Sequence, residues 1–205
     1  MFKNYILTAL RNLSRHKIYS LINIVGLTVG LALTILLLSF IRYELSYEDF
    51  NTKKDRIYRS VSRINVSENK SIKAPMSTGL VYSWATEEVP EVDAVLRMDP
   101  RPGEIRYQSE TFQNDYAFYT DSTFFHFFDL DLKYGNKRTA FIPGSVVISE
   151  KLANTIFNQE DPLGKTIMWR NNSLEVKGVL EELPSNTHLN IDFLVPISTL
   201  ENTNS

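Results

Sequence analysis

The spacing of apolar and polar residues changes character several times along the chain. Over the first seventeen residues Phe2, Tyr5, Ile6, Ala9, Leu10 and Leu13 recur every three or four positions, while Lys3, Asn4, Thr8, Arg11, Asn12 and Arg15 take the other side. That period predicts a basic amphipathic helix of the kind that lies in the headgroup region of an anionic leaflet. The alternative is a plain extension of the helix that follows. From Tyr19 to Ile41 the period disappears, and 23 consecutive residues carry no charge. As a helix they extend about 34 Å, enough to cross a hydrocarbon layer of about 30 Å. The run exceeds the roughly 7–15 residues of a signal-peptide core and lacks a small-residue cleavage site, so it is expected to remain attached.

Beyond residue 42 the pattern is mixed. Alternation predicts a strand over Ile57 to Ile64, and further strands over Asp93 to Met98, Val146 to Ile148, Thr166 to Trp169, Leu174 to Leu180 and Ile191 to Val195. A hairpin is expected over Ile105 to Phe112, turning at Gln108-Ser109-Glu110. Helical spacing predicts helices from Met76 to Glu88 and from Glu150 to Phe157, the second capped by Ser149. The run Phe124-Phe125-His126-Phe127-Phe128 behind Asp121-Ser122 reads as a short aromatic helix pinned in a core, with Asp121-Ser122 as its cap. Strands and helices interleave without a regular βαβ rhythm, so the expected class is α+β. The domain reading is 1–18 amphipathic segment, 19–41 transmembrane helix and 42–205 mixed α+β domain.

Charge sets the orientation. Lys3, Arg11, Arg15 and Lys17 give residues 1–18 a balance of +4, against −2 for the whole chain. The positive-inside bias then places the N-terminus in the cytoplasm and the main domain on the far side, which in a bacterium is the periplasm. The whole-chain balance, 22 basic against 24 acidic residues, gives no support for a nucleic-acid partner. The sequence contains no cysteine, which excludes disulfides and thiolate chemistry, and its three histidines are scattered at positions 16, 126 and 188.

Candidate chemistry is sparse. Gly26 and Gly30 form a G-x-x-x-G pair, and Thr34 continues the stripe four residues further on. Small residues at that spacing let a second membrane helix approach closely, so these three are the expected helix-packing residues. Asn23 near the same face suits an interhelical hydrogen bond. Gly164-Lys165-Thr166 has the ending of a phosphate-binding loop, but Gln159 stands where the first glycine belongs and Asp161 and Pro162 oppose an anion, so a tight turn is expected. Asp129, Asp131, Glu181 and Glu182 read as solvent-facing acids. His126 reads as part of the aromatic helix and His188 as a turn residue, neither with the partners of a triad. Two sequons begin at Asn69 and Asn171. No catalytic, cofactor-binding or metal-ligating set is identified, and the chain is read as a non-enzyme.

Several segments in order carry a resemblance: the basic start with Asn23-Ile24-Val25-Gly26-Leu27-Thr28-Val29-Gly30-Leu31-Ala32, then Val146 to Ala153 with Phe157, Glu160 to Lys165, and Leu174 to Leu180 with Pro184 and Asn186. Together they resemble the MacB/FtsX-like ABC transporter permeases, and the stretch Asp121 to Leu132 with Tyr134-Gly135 is similar to that family's periplasmic core. The resemblance implies a permease subunit of the bacterial inner membrane without an ATPase of its own. Its partners would be an ABC ATPase subunit, a second permease copy, a periplasmic adaptor and the lipid bilayer. The implied role is export of peptides, antibiotics or lipoproteins by mechanical coupling to ATP hydrolysis. With one membrane helix present, the resemblance also implies the N-terminal part of a longer permease, cut at its C-terminal end. A single-pass sensor or binding domain without transport is the alternative from the same topology.

Overall fold

The computed structural model describes residues 2–67, 70–77 and 79–203. The chain divides into two units, Met1–Tyr47 and Glu48–Ser205.

The first unit is helical. Helix α1 spans Phe2–Arg15 and helix α2 spans Lys17–Leu45, separated at His16, whose φ of −113° and ψ of 58° leave the helical region. The amphipathic segment is therefore a helix of its own and not a straight extension of α2. Along α2 no residue is buried, and leucines throughout its length stay exposed. An apolar surface of this extent is not stable against water, and lipid or other helices are what it suits.

The second unit is the mixed α+β body the pattern predicts. Its strands are β1 (Ser62–Ser67), β2 (Lys70–Ala74), β3 (Met98–Pro100), β4 (Gly103–Tyr107), β5 (Glu110–Asn114), β6 (Ala117–Thr120), β7 (Leu132–Gly135), β8 (Ser145–Ser149), β9 (Thr166–Trp169), β10 (Asn172–Leu180) and β11 (Phe193–Pro196). The helices are α3 (Gly79–Glu88), α4 (Phe124–Phe127), α5 (Glu150–Phe157) and α6 (Ser198–Thr203). Strands β1 and β2 pair only with each other, and the other nine form one sheet in the order β3-β6-β11-β8-β10-β9-β4-β5, with β7 also on β10. Strand β10 pairs in parallel with β8, and β11 in parallel with β6; the remaining pairs are antiparallel.

Both faces of the sheet are covered. Alternation in β8 sends Val146 and Ile148 to one face and Val147 to the other, and in β11 it separates Phe193 and Val195 from Leu194. Leu152, Ala153, Ile156 and Phe157 of α5 cover the first face, and Phe124 of α4 leads the cover of the second. Ser149 caps α5 as expected, its Oγ accepting from the Leu152 N–H at 3.1 Å and donating to Asp192 Oδ1 at 2.7 Å.

Strand β10 does not alternate throughout. Val176 pairs with Val146, and the next partner of β8, Val147, pairs with Gly178, so Lys177 is an extra residue in the ladder. Such a bulge shifts the pleat by one position. Leu174, Val176 and Val179 consequently share the α5 face, while Leu180 joins the opposite core.

Some expectations move. The first strand begins at Ser62, five residues later than Ile57, although Ile57 is already extended with φ −95° and ψ 123°. The helix expected from Met76 begins at Gly79, Thr78 lying outside the described residues, as does Asn69 of the first sequon. The strand expected over Asp93 to Met98 pairs only over Met98–Pro100, and it accommodates Pro100 because β3 is an edge that needs no donor on its outer side. Asp121 does not cap α4. Its carboxylate accepts instead from the backbone N–H, Nε and Nη2 of Arg97, and the residue preceding α4 is Thr123, without a side-chain cap. Gly164 takes φ +75° in the turn between α5 and β9, and Lys165 Nζ donates to Glu160 Oε2 at 2.5 Å, as a turn and not a phosphate cradle would have it.

Candidate coupling segment

The helix-packing residues proposed from sequence all lie on α2. Gly26, Gly30 and Thr34 are exposed, and a Cβ built at either glycine meets nothing within 4 Å. The Thr34 hydroxyl donates to the Gly30 carbonyl at 2.8 Å, which satisfies it inside the helix and leaves a flat stripe of glycine backbone beside it. Successive members four residues apart drift by only about 40° around the axis, so the three share one side.

Sequence reasoning missed a second feature, the first residues of the second unit. Glu48, at a positive φ of 60°, donates its N–H to the Asn186 carbonyl at 3.1 Å. Its carboxylate accepts from the Thr187 hydroxyl at 3.0 Å and the His188 N–H at 2.6 Å. Three residues on, buried Asn51 donates from Nδ2 to the Phe127 carbonyl at 3.0 Å. Thr52 donates both its N–H and its hydroxyl to Asp129 Oδ2, at 2.8 and 2.5 Å, and Lys53 Nζ donates to the His126 carbonyl at 2.5 Å. Phe50 packs into the core beneath α4. Residues 48–53 are thus stitched to two distant parts of the body, the 186–188 turn and α4.

Asp129 faces solvent, as the reading of the acids expects, and it also accepts both Thr52 donors. The two Thr52 donors hold its carboxyl below the ordinary value of 3.8, the hydroxyl contributing most. A carboxylate whose folded pKa is depressed stabilises the fold above its unfolded pKa, and that contribution is lost as pH falls through the folded value. Asp129→Asn is therefore expected to melt below the parent chain at pH 7, with the gap narrowing as the pH falls through the depressed folded value. A gap in circular-dichroism melts that stays constant as the pH falls would show that the charge has no part in the stitch.

The other singled-out residues stay apart. Asp131 pairs with Lys137 at 2.6 Å, Glu181 and Glu182 are exposed, and His126 Nε2 lies 3.5 Å from Asp93. His188 sits in its expected turn, with Nδ1 at 3.3 Å from Glu48. Among the described residues no three His, Cys, Asp or Glu side chains come together as metal ligands would.

Comparison with known proteins agrees with this architecture. No curated protein matches the chain. Among solved structures, a domain described as part of a permease protein from Porphyromonas gingivalis is 23% identical with a TM-score of 0.57, over 67% of this chain and 60% of that one. The periplasmic region of MacB from Actinobacillus actinomycetemcomitans is 21% identical with a TM-score of 0.46, over 59% of this chain and 55% of that one. The extracellular domain of the noncanonic ABC-type transporter YknZ from Gram-positive bacteria is 24% identical with a TM-score of 0.48, over 58% of this chain and 62% of that one. The chain thus spans about 55–62% of the length of these solved domains. The family model of the MacB-like periplasmic core domain matches residues 20–205, which take in most of the apolar helix and the mixed α+β body, and the chain belongs to that family.

Proposed function

We propose that the chain is the N-terminal portion of the permease subunit of an ABC transporter, in which α2 spans the inner membrane with α1 on the cytoplasmic side and the outer body in the periplasm. The observation that carries this reading is the match of residues 20–205 to the MacB-like periplasmic core domain together with an apolar helix of which no residue is buried. A helix that ends at Leu45 is followed within three residues by backbone and side chains hydrogen-bonded into the body. The basic flank of residues 1–18 supports the orientation, and family membership supports the ATPase partner.

In this reading a partner ATPase hydrolyses ATP, the membrane helices shift, and the body moves as a working part for extrusion of peptides, antibiotics or lipoproteins. The chain itself performs no covalent chemistry. A second permease copy and a periplasmic adaptor complete the assembly, and the stripe Gly26, Gly30, Thr34 is where a neighbouring membrane helix packs.

After crosslinking in its native membrane, the chain is expected to bring down an ATP-hydrolysing subunit and a second permease copy. Leucine at both Gly26 and Gly30 fills the stripe and is expected to cut that yield several-fold. Recovery of the chain without any ATPase subunit would count against the permease role. An unchanged yield from the double variant would count against the stripe.

A further inference from the structure

Away from the coupling segment, a cleft of about 270 Å³ is lined by Arg101, Tyr119, Arg170, Asn172 and Leu200. Four separate stretches converge on it: the chain leaving β3, strand β6, the β9–β10 turn and α6. Tyr119 is 3% exposed, and its ring lies against buried Trp169 with centroids 5.1 Å apart. Its oxygen accepts from Asn172 Nδ2 at 3.5 Å. Burial raises the Tyr119 pKa while Arg170 and Arg101 pull it the other way, so the hydroxyl keeps its proton at neutral pH and both guanidinium charges act on it.

The two arginines are not equivalent. Arg101 is neutralised by Asp99, which accepts from Nε at 2.9 Å and from Nη2 at 2.8 Å. Arg170 spends one N–H on the Pro102 carbonyl at 3.1 Å and makes no ion pair among the described residues. It also occupies an unfavourable place. Arg170 and Asn171 form the two-residue hairpin turn with φ of 47° and 67°, a conformation that favours asparagine or glycine. The turn thus projects a long cation from a position where a small residue would be less strained.

We propose that this cleft binds a carboxylate carrying a short apolar substituent, with the Arg170 fork and the Tyr119 hydroxyl as donors and Leu200 as the apolar wall. Two guanidinium groups line the cleft, and because Arg101 is paired with Asp99, which is not part of the lining, one uncompensated positive charge is left, that of Arg170. That charge matches a carboxylate, whose two oxygens fit the planar guanidinium side by side; a phosphate dianion would remain half compensated. The volume suits one residue, such as a free N-acylated amino acid or the last residue of a peptide. The inference stands apart from the transport reading, since the cleft would bind whether or not the chain couples to an ATPase.

The test is isothermal titration of the full chain in detergent micelles with N-acetyl-leucine, its neutral amide, acetate, inorganic phosphate and a tetrapeptide ending in leucine. N-acetyl-leucine is expected to bind, its amide to fail, and acetate and phosphate each to bind at least about tenfold more weakly, as losing a charged hydrogen bond or the apolar contact predicts. Arg170→Asn keeps a residue suited to the turn and is expected to weaken N-acetyl-leucine at least about tenfold without lowering the melting temperature. Tyr119→Phe is expected to weaken it several-fold. A tetrapeptide that binds more tightly than the acyl amino acid assigns the cleft to peptide ends, and equal affinity assigns it to single-residue acids. Acid and amide binding alike, phosphate binding more tightly, or full affinity in Arg170→Asn would overturn the assignment.

Discussion

Arginine at both Leu31 and Ile35 is expected to expel the chain from the membrane while leaving the outer body folded. These positions fall near the middle of the uncharged run Tyr19 to Ile41, where snorkelling to either surface is longest. At the helix centre each arginine costs about 2.5–3.5 kcal/mol of insertion free energy and each lost leucine or isoleucine about 0.3–0.6. Together the changes remove about 6–8 kcal/mol, a factor on the order of 10⁴–10⁶ in partitioning. The parent chain should stay in an alkaline-carbonate membrane pellet and the double variant should leave it, with an unchanged melt of the outer body. A variant that remained in the pellet, or a mature parent chain starting beyond Ile41, would remove the basis for any membrane role.

Gly135→Ala is the second large effect, and it lies in the body. Gly135 ends β7 with φ +97°, and a Cβ there would collide with the Lys177 carbonyl oxygen and come within 2.9 Å of Gly178 Cα. Both obstacles are backbone, so no side chain can swing aside. The partner is a glycine for a similar reason: a Cβ on Gly178 would lie 3.2 Å from Leu132. Conformational strain of about 1–2 kcal/mol and overpacking of about 1–3 kcal/mol add to about 2–5 kcal/mol. For a body of this size that lowers Tm by about 4–20 °C. Gly144→Ala is the control, because its φ of +78° carries strain but nothing lies within 4 Å of its Cβ. It should cost about 1 kcal/mol, or 2–4 °C. Equal shifts in the two variants would mean that β7 does not press on the Lys177 bulge.

The two effects bear on different parts of the proposed mechanism. The first removes the element that would receive motion from a partner. The second loosens the strand beside β10, the hub that pairs with β7, β8 and β9, and so weakens the body that would move. Between them lies the segment 48–53. Its bonds to Asn186, Thr187, His188, Phe127 and Asp129 fasten the start of the second unit to that unit's own body.

Much of this was legible in the residues alone where the cause is local. The β8–α5 unit was read with its cap, because Val146, Val147 and Ile148 followed by Ser149 and a helical period leave few alternatives. The hairpin of β4 and β5 appeared with its turn near Gln108, which indeed takes a positive φ of 52°. Strands β6 and β7 went unread. Each is four residues long, too short to establish a period, and each is held by partners remote in the chain, Phe193–Pro196 for β6 and Leu132's neighbours on β10 for β7. Asp129 is the solvent-facing acid its sequence predicts, but its bonds to Thr52 leave no local signal, because the donors lie 77 positions earlier.

By itself the sequence determined the apolar span, the amphipathic period of the seventeen residues before it, the basic flank and the α+β class. Those depend on composition and on spacings of two to four residues, which act within one element. The tertiary structure decided that Lys177 bulges and turns Leu180 to the opposite core, and that Glu48 and Asp129 fasten the start of the body. It also decided that Arg101 is neutralised by Asp99 while Arg170 is not. Each of these outcomes depends on which backbone or side-chain group lies alongside. A partner brought in by folding from a remote stretch, or a one-residue slip in strand pairing, leaves no trace in local pattern.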